Sequence, residues 1–264
     1  MESELNTYAL ITGGSSGIGK ALAIELASRG YDIAIVALPN TGQEQVRQEI
    51  KSAYNVKFKS LELNILEKGA ISQISAWVIS EQMNLQILVN NAGIGYAAGF
   101  DTLEGSFIST VIDLNIKATT LLSHAMIPFL KKRRQSYILN LSSAAAFYSM
   151  PYKSVYAASK RYVLDFSSAL REELSSFNIG VTAVCPAGVI TSPEIRERIK
   201  AAGYMARISA LEPSQVAKES VNAMIQRKAK VIPGKMAKLI SCVRFIIPPR
   251  IQRKIIAKNF KKAI

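Results

Sequence analysis

The chain has little material for several common kinds of active site. It contains one histidine, His124, and two cysteines, Cys185 and Cys242, in 264 residues. One histidine cannot supply a histidine-based metal site, and we predict no metal ion. Two cysteines cannot build a disulfide framework, which favours a reducing compartment. We expect Cys185 to be a small buried hydrophobic residue and His124 to be a packing or interface residue.

Long apolar segments and targeting segments are also missing from the sequence. No part of it reaches the roughly 18 consecutive apolar residues that a membrane-spanning helix needs. The first residues show no basic region followed by an apolar stretch, so we predict no signal peptide. These absences predict a cytoplasmic protein, with peripheral association at the inner membrane face left open.

Acidic residues are absent from the end of the chain. Residues 220–264 carry 12 lysines and arginines and no acid, so they supply +12 of the net charge of +14. The rest of the chain is therefore nearly neutral, and the basic segment favours an anionic surface as its partner.

Short apolar segments alternate with segments that have the apolar spacing of helices. This alternation predicts a parallel sheet covered by helices on both faces, an α/β doubly wound fold in one domain over residues 1–235. A basic helical tail is predicted over residues 236–264. The predicted strands are 8–12, 32–38, 56–63, 86–89, 137–141, 181–184 and 231–233, and the predicted helices are 18–29, 42–54, 68–83, 106–134, 155–177 and 213–227.

A glycine-rich turn separates the first predicted strand from the first helix. Its residues read Gly13-Gly14-Ser15-Ser16-Gly17-Ile18-Gly19. Glycines at this point let backbone N–H groups approach a phosphate, which the positive end of the helix dipole also attracts. We predict that Gly13, Ser15, Ser16, Gly17, Ile18 and Gly19 bind the pyrophosphate of a dinucleotide.

Further motifs follow in a fixed order: Asn90-Asn91-Ala92-Gly93 after the fourth strand, Asn115 in the long helix, Ser143, and Tyr156-Ala157-Ala158-Ser159-Lys160. Together with the glycine turn, this pattern resembles the short-chain dehydrogenase/reductase family over residues 5–235. The resemblance implies a Rossmann fold with seven strands in the order 3-2-1-4-5-6-7. It also implies a nicotinamide cofactor and a homodimer or homotetramer packed partly through the helices 106–134 and 155–177.

Tyr156 and Lys160 lie four residues apart, so they share one face of a helix. A nearby ammonium is expected to lower the pKa of a phenol and so allow proton exchange near neutral pH. By resemblance, Tyr156 exchanges a proton with the substrate oxygen, and Ser143 binds the same oxygen. The resemblance also gives Lys160 the ribose hydroxyls of the cofactor and gives Asn115 a water in the proton relay.

The other predicted cofactor contacts also rest on the resemblance. Asn91, Ala92 and Gly93 are placed under the ribose, Asn64 and Ile65 at the adenine, and Val189 and Thr191 near the carboxamide and pyrophosphate. Asn90 is as readily explained by a structural role. Ala187 stands where the family usually has glycine, which leaves the backbone of this loop open.

The end of the second predicted strand bears on the choice between NAD and NADP. Ala37 stands where members that use NAD carry aspartate. Neither Leu38, which we count among the cofactor contacts, nor Ser16 supplies the arginine common in members that use NADP. Since the repulsion of a 2′-phosphate is missing, we favour NADP.

Bulky, weakly polar residues follow Ser143 and recur in the expected lid, 192–209. By resemblance, Phe147, Tyr148 and Met150 line the substrate cleft beside Ser143. They favour a hydrophobic carbonyl substrate, lipid-like or steroid-like, although they could equally pack on one another.

The tail contains two basic amphipathic segments, 235–247 and 256–264, separated by Pro248 and Pro249. In the second, Ile256, Phe260, Ala263 and Ile264 share a face opposite Lys258, Lys261 and Lys262. Such a helix can lie in a membrane interface, or it can pack on its own body or on a partner subunit. In the first case the substrate could be a 3-oxoacyl or 3-ketosphingoid chain drawn from the bilayer.

The motifs favour an enzyme that interconverts a ketone and a secondary alcohol. A nucleotide-binding regulator without turnover is the alternative, but a pure sensor needs no proton donor. Nucleic-acid binding is disfavoured because the tail has few aromatic residues and no recognised nucleic-acid-binding fold.

Overall fold

The computed structural model describes residues 7–201, 204–243 and 247–261. Seven parallel strands form one sheet in the order β3-β2-β1-β4-β5-β6-β7. The predicted α/β doubly wound fold and its strand order are confirmed. The strands are β1 (Tyr8–Thr12), β2 (Asp32–Ala37), β3 (Phe58–Glu62), β4 (Leu85–Asn90), β5 (Ser136–Leu141), β6 (Ile179–Val184) and β7 (Lys230–Val231).

Helices cover both faces of this sheet because its strands are apolar on both sides. One buried cluster packs Ile11 and Ile35 against Leu22 and Leu26, and the other packs Leu10 and Leu88 against helices from the opposite face. The helices are α1 (Gly17–Ala27), α2 (Gln43–Ala53), α3 (Ala70–Ser80), α4 (Gly105–Ile112), α5 (Thr119–Leu130), α6 (Ser154–Glu173), α7 (Pro193–Ala201), α8 (Tyr204–Ser209), α9 (Pro213–Ile225), α10 (Lys235–Val243) and α11 (Pro249–Lys261).

The predicted helix 106–134 is divided in the structure. A π-helical turn, Asp113–Ala118, joins α4 to α5, and the helix ends at Leu130. Helix α6 likewise ends before residue 177, and Asn178 then adopts the left-handed conformation that turns the chain into β6. A separate short turn, Ser175–Phe177, follows the end of α6 and covers the last residues of the predicted helix.

The tail differs from its prediction in where the last helix begins. Helix α11 starts at Pro249, seven residues before the predicted start, because proline is favoured in a first helical turn. Phe260, Ala263 and Ile264, three of the predicted face residues, lie outside the described side chains. Within the described part of the chain, no helix combines the length and apolarity needed to cross a bilayer.

Helix α10 rests on the body of the protein. Ala237 and Ser241 are buried, and the Tyr148 hydroxyl donates to the carbonyl oxygen of Ile240 at 3.3 Å. The first part of the tail is therefore attached to the loop that follows β5.

Candidate active site

The predicted site residues lie at the carboxyl edge of the sheet, around β1, β4 and β5. Strand β1 pairs with β2 on one side and with β4 on the other, so the chain changes direction across the sheet at this point. Such a switch point leaves a crevice above the strand ends, which is where ligands bind in open α/β sheets.

The glycine turn is closed tightly on itself. Gly13 and Gly17 have positive φ values of 64° and 53°. A Cβ added to Gly19 would lie 2.1 Å from the carbonyl oxygen of Gly13, so any larger residue would force the backbone apart. The turn is therefore shaped by its glycines to bring backbone N–H groups close to a ligand.

Thr12 and Asn91 tie this turn to the end of β4. The Thr12 hydroxyl accepts from the backbone N–H groups of Asn91 and Ala92, both at 3.1 Å. The Asn91 side chain donates to the carbonyl oxygens of Thr12 and Gly13 at 2.9 and 3.1 Å. Thr12 was not predicted, and its position as the last strand residue before the turn was the signal that could have identified it.

The remaining predicted phosphate residues surround the N-terminus of α1. Ser16 is exposed and stands before the helix without a side-chain cap. Its neighbour Ser15 is hydrogen-bonded to Thr41 at 2.9 Å. Ile18 packs against the first buried cluster, and Thr191 reaches Gly17, where an added Cβ would lie 3.2 Å from its Cγ2.

Four other predicted contacts are used partly for local structure. The carbonyl oxygen of Leu38 accepts from Thr41 and from a side-chain amide, each at 2.7 Å, while the Leu38 side chain is exposed. Asn64 accepts from the backbone of Leu66 at 3.1 Å, and Ile65 packs against the second cluster. Val189 forms a β-bridge with Leu211. Their roles at the cofactor stay predictions.

Asn115 lies in the π-helical turn and is almost fully buried. Its Oδ1 accepts from the N–H of Ile94 at 2.9 Å. Its Nδ2 donates to the carbonyl oxygen of Ile94 at 2.9 Å and to Ser159 at 3.0 Å. The side chain therefore holds the segment after β4 against helix α6.

Lys160 is buried on α6 and points toward the end of β5. Its Nζ donates to the carbonyl oxygen of Leu141 at 2.8 Å and lies 6.0 Å from the centroid of the Tyr156 ring. Burial lowers the pKa of Lys160 to about 8, with Cys185 acting in the opposite direction. A Cβ on Gly93 would lie only 3.2 Å from this Nζ, so the glycine leaves room for the ammonium.

Tyr156 and Ser143 are brought together as predicted. Burial raises the pKa of the Tyr156 phenol, and a side-chain hydrogen bond with Ser143 opposes this rise. The Ser143 hydroxyl also accepts from the N–H of Ala145 at 3.1 Å, at the start of a short turn, Ala144–Phe147. The expected lowering of the phenol pKa is not found, because desolvation penalises the phenolate more than its neighbours stabilise it.

A second lysine, which sequence analysis missed, lies beside the same ring. The Nζ of Lys153 is 5.8 Å from the Tyr156 centroid. Lys153 stands three residues before Tyr156, a spacing that could have identified it. The preceding residue, Tyr152, has a left-handed backbone with a φ of 65°, which no sequence pattern indicated.

The predicted substrate residues point in different directions. Phe147 packs against a small buried cluster that includes Leu164, and Tyr148 bonds to α10. Met150 is partly buried near the start of α6. A cavity of about 340 Å³ separates the tail from this region. Its lining consists of Phe147, Tyr148, Ser149, Arg161, Pro249, Gln252, Arg253 and Ile256.

The expected lid forms two helices, α7 and α8. A cavity of about 530 Å³ lies between the start of α7 and the loop that carries Thr191. This cavity adjoins the glycine turn, since Thr191 contacts Gly17. The lid therefore borders the predicted phosphate site.

Comparison with known proteins identifies the family to which the chain belongs. Residues 7–201 match the family model for short chain dehydrogenase. A very-long-chain 3-oxoacyl-CoA reductase from Anas platyrhynchos is 34% identical over 192 residues, which are 71% of this chain and 61% of that protein. SadH, named as an oxidoreductase in Mycobacterium tuberculosis, is 27% identical over 97% of this chain and 96% of its own length.

A solved structure shows the same fold. The short-chain dehydrogenase from Sphingobium yanoikuyae in complex with NADPH has a TM-score of 0.77 and 27% sequence identity, and it covers 91% of this chain and 93% of its own. The match to the Anas platyrhynchos reductase spans about three fifths of that relative's length. The family model covers well over half of the present chain. The chain therefore belongs to the short-chain dehydrogenase family.

Proposed function

We propose that the protein reduces the ketone of a hydrophobic 3-oxoacyl substrate with NADPH, and that Tyr156 donates the proton. The observation that supports this most directly is the grouping of Tyr156, Ser143, Lys160 and Asn115 around the segment after β4. These four side chains come from three separate parts of the chain, since Tyr156 and Lys160 share helix α6. Their convergence in one crevice is hard to explain by packing alone.

The residues around the glycine turn fit a dinucleotide. The carbonyl oxygen of Gly13 occupies the space that a Cβ on Gly19 would take, so the turn stays close to the helix. The exposed N-terminus of α1 offers N–H groups to a pyrophosphate. Lys160 and Asn91 are proposed to hold the ribose on the nicotinamide side. When bound, the nicotinamide supplies the hydride for ketone reduction.

The protein's own part in the reaction is to bind the carbonyl oxygen and deliver a proton. Ser143 would donate a hydrogen bond to this oxygen, which stabilises the negative charge that develops there. Tyr156 would then give its phenolic proton to the same atom. The raised pKa of Tyr156 keeps the phenol protonated, which suits a proton donor.

Lys160 is proposed to support this proton transfer through its positive charge, which lies near the Tyr156 ring. Its ammonium is fixed by the Leu141 carbonyl at 2.8 Å and can stabilise the phenolate that the transfer leaves. Asn115 keeps Gly93 and Ile94 in place through its paired hydrogen bonds with Ile94. Its further role in holding a water of the proton relay remains a prediction.

NADP is favoured over NAD because nothing at the end of β2 repels a 2′-phosphate. Ala37 is buried there and Leu38 is exposed, so no carboxylate follows the strand. The relative from Sphingobium yanoikuyae binds NADPH, which supports the same preference.

A long 3-oxoacyl chain is the proposed substrate for two reasons. Several curated relatives at 29–34% identity are named very-long-chain 3-oxoacyl-CoA reductases. In addition, the tail exposes the large apolar side chains Leu239, Ile251 and Ile255. With the neighbouring basic residues Arg250, Lys254 and Lys258, they form the apolar and basic surface of the tail, which we propose rests on an anionic membrane at its inner face.

A homodimer or homotetramer is also proposed. Ile112, Leu121 and Tyr162 expose large apolar side chains on the helices α4, α5 and α6, which cover one face of the sheet. Burying such side chains against a second copy would remove apolar surface from water. The proposed small-molecule partner is thus a hydrophobic ketone, with the membrane and a second subunit as further partners.

Replacing Tyr156 by phenylalanine tests the proposed function. We expect the wild-type protein to oxidise NADPH with a long-chain 3-oxoacyl thioester and to prefer NADPH over NADH in kcat/KM. Tyr156→Phe should lose about 100- to 10,000-fold of this turnover, because the proton donor is gone while the ring remains. NADPH affinity, measured by fluorescence titration, should stay close to that of the wild type.

Two outcomes would contradict this proposal. If the wild type binds NADPH but turns over no ketone, the protein is a nucleotide-binding regulator. If Tyr156→Phe retains full activity, the proton comes from another group. A strong preference for NADH would overturn the cofactor assignment alone.

A further inference from the structure

The cavity of about 340 Å³ between the tail and the body has no part in the mechanism described above. Its lining residues come from the loop after β5, from α6 and from α11, and none of them belongs to the proposed catalytic set. Ligand pockets usually have volumes of roughly 300–1,000 Å³, so this cavity has room for a small ligand. It is therefore a candidate for a second binding site, separate from the crevice.

The described lining of this cavity carries two positive charges and no acidic side chain. Arg161 reaches the cavity from α6, and Arg253 reaches it from α11. Residues 220–264 contain no acid, so no acidic side chain of the tail can pair with Arg253. Two guanidinium groups that line one cavity repel each other, and an anion bound between them would remove this repulsion. The lining thus favours an anionic ligand.

Both guanidinium groups have nitrogen atoms that a ligand could use. The Nε of Arg161 donates to Asp165 at 2.7 Å, while its two terminal nitrogens donate to no acceptor among the described residues. In the same part of the chain, the side chain of Arg253 forms no ion pair and no hydrogen bond. Arginine can donate two parallel hydrogen bonds to a carboxylate or a phosphate, and a phosphate has oxygen atoms left for a second arginine. The pair therefore favours phosphate over carboxylate.

Other parts of the cavity wall are apolar. Phe147 packs in the small cluster that includes Leu164, and Ile256 is partly buried on α11. Pro249 adds a further apolar side chain to the lining. Inorganic phosphate would bury no apolar surface against these side chains, whereas an alkyl chain attached to the phosphate would. The cavity therefore suits the phosphate group of a lipid together with the first carbons of its chain.

Helix α11 turns different side chains to the cavity and to the solvent. Gln252 and Ile256, one helical turn apart, line the cavity and are partly buried. Ile251 and Ile255 are exposed and belong to the apolar and basic surface of the tail. A ligand in the cavity would thus contact α11 on the side away from the proposed membrane surface, and it would hold the helix on the body.

We propose that this cavity binds the phosphate monoester group of a lipid, with Arg161 and Arg253 donating to its oxygens. The alkyl chain lies against Phe147 and Ile256. The bound phosphate joins α6 to α11 and so fixes the second helix of the tail on the body. This site is independent of the ketone that the protein reduces, because no residue of the proposed catalytic set takes part in it.

Isothermal titration calorimetry on the full chain tests the proposal with octyl phosphate below its micellar concentration. Inorganic phosphate and octan-1-ol serve as comparison ligands, since each has only one half of the proposed chemistry. We expect octyl phosphate to bind at least about 10-fold more tightly than either of them. Arg161→Gln and Arg253→Gln should each weaken its binding by about 10- to 100-fold, because each variant loses a charge-assisted hydrogen bond.

The matched control is Arg250→Gln, which removes the same charge from α11 at a residue outside the described cavity lining. Its affinity for octyl phosphate should stay within about twofold of the wild type, because solvent and salt screen a charge at a distance. The double variant Arg161→Gln/Arg253→Gln should lose less than the product of the two single losses, since both side chains bind one phosphate.

Three results of the titrations would contradict the proposal. Equal losses in Arg250→Gln and Arg253→Gln would overturn it, because binding would then follow the total charge of the tail. Absence of octyl phosphate binding by the wild type would also overturn it. If inorganic phosphate or octan-1-ol binds as tightly as octyl phosphate, the assignment of a lipid phosphate is wrong.

Hydrogen exchange followed by mass spectrometry tests whether the phosphate fixes the tail. Octyl phosphate should slow the exchange of the backbone amides of residues 250–258 in the wild type. At the same concentration it should leave their exchange unchanged in Arg253→Gln. Unchanged exchange in the saturated wild type would overturn the proposed fixing of α11. Both experiments measure binding alone, so their results are separate from any test of ketone reduction.

Discussion

Lys160 combines a buried position with a proposed role that depends on its charge. Only 7% of its surface is exposed, and burial lowers its pKa to about 8 from its ordinary value of 10.5. The ammonium is therefore present below pH 8 and is lost as the pH rises through this value. A residue whose charge matters for the reaction is thus set to titrate just above neutral pH.

We expect kcat/KM for ketone reduction to fall as the pH rises through about 8, because the free enzyme then loses the Lys160 ammonium. A pH profile from 6 to 10 measures this, with kcat/KM reporting the groups of the free enzyme. Lys160→Arg keeps its charge over the whole range, so its remaining activity should lack this fall. An unchanged fall in Lys160→Arg would assign the titration to another group.

At the residue scale, the sequence predicted which side chains meet in the crevice but not their electrostatic state. Tyr156, Lys160, Ser143 and Asn115 were found because their order and spacing can be read along the chain. The raised pKa of Tyr156 depends on burial by distant segments, which spacing does not reveal. The position of Lys153 beside the same ring was missed, because the sequence pattern does not show that its side chain reaches the Tyr156 ring.

At the scale of elements, the glycine turn and the helix that follows it are the most constrained part of the site. Gly19 lies inside α1, where glycine is usually unfavourable. It is required because its Cα packs directly against the carbonyl oxygen of Gly13. The turn can therefore be tested by adding a single methyl group.

Gly19→Ala should weaken NADPH binding strongly and destabilise the protein by about 1–3 kcal/mol, because the added Cβ would lie 2.1 Å from Gly13 O and the backbone must move. Fluorescence titration and thermal unfolding measure the two effects. The matched control is Gly105→Ala at the start of α4, where an added Cβ meets nothing within 4 Å. If both variants bind NADPH equally well, the tight turn is not the cofactor site.

Most elements could be predicted from the sequence because the strands are continuous apolar segments between turn residues. The π-helical turn Asp113–Ala118 could not be, because it depends on tertiary contacts that Asn115 makes with Ile94 and Ser159. The start of α11 was placed too late because Pro248 and Pro249 were interpreted only as the end of a helix. Proline also begins helices, and here it does.

At the scale of the whole molecule, the charge is unevenly distributed. Residues 1–219 are nearly neutral, and residues 220–264, which include the tail, are strongly basic. The tail exposes Leu239, Ile251 and Ile255 to solvent, and their exposed fractions are 58%, 49% and 48%. Helix α10 nevertheless buries Ala237 against the body. The tail thus has one surface attached to the protein and another available to a partner.

Removing residues 249–264 should abolish sedimentation with vesicles that contain anionic phosphatidylserine, because six basic residues are removed with α11 and the chain end. Vesicles of neutral phosphatidylcholine should bind neither form. The double variant Ile251→Ser/Ile255→Ser should bind anionic vesicles more weakly than the wild type, since the apolar contribution is lost while the charge stays. Absence of binding by the full-length protein would end the membrane proposal.

The hydrogen bond from Tyr148 to Ile240 connects the tail to the loop that begins at Ser143. The short turn that begins at Ser143 ends one residue before Tyr148, and Tyr148 is fastened to α10. A force that pulls α10 away from the body would act on this turn and so on Ser143, whose hydroxyl is proposed to bind the substrate oxygen. The rate of turnover would then depend on whether α10 is packed on the body. The rate in solution would differ from the rate on a membrane surface.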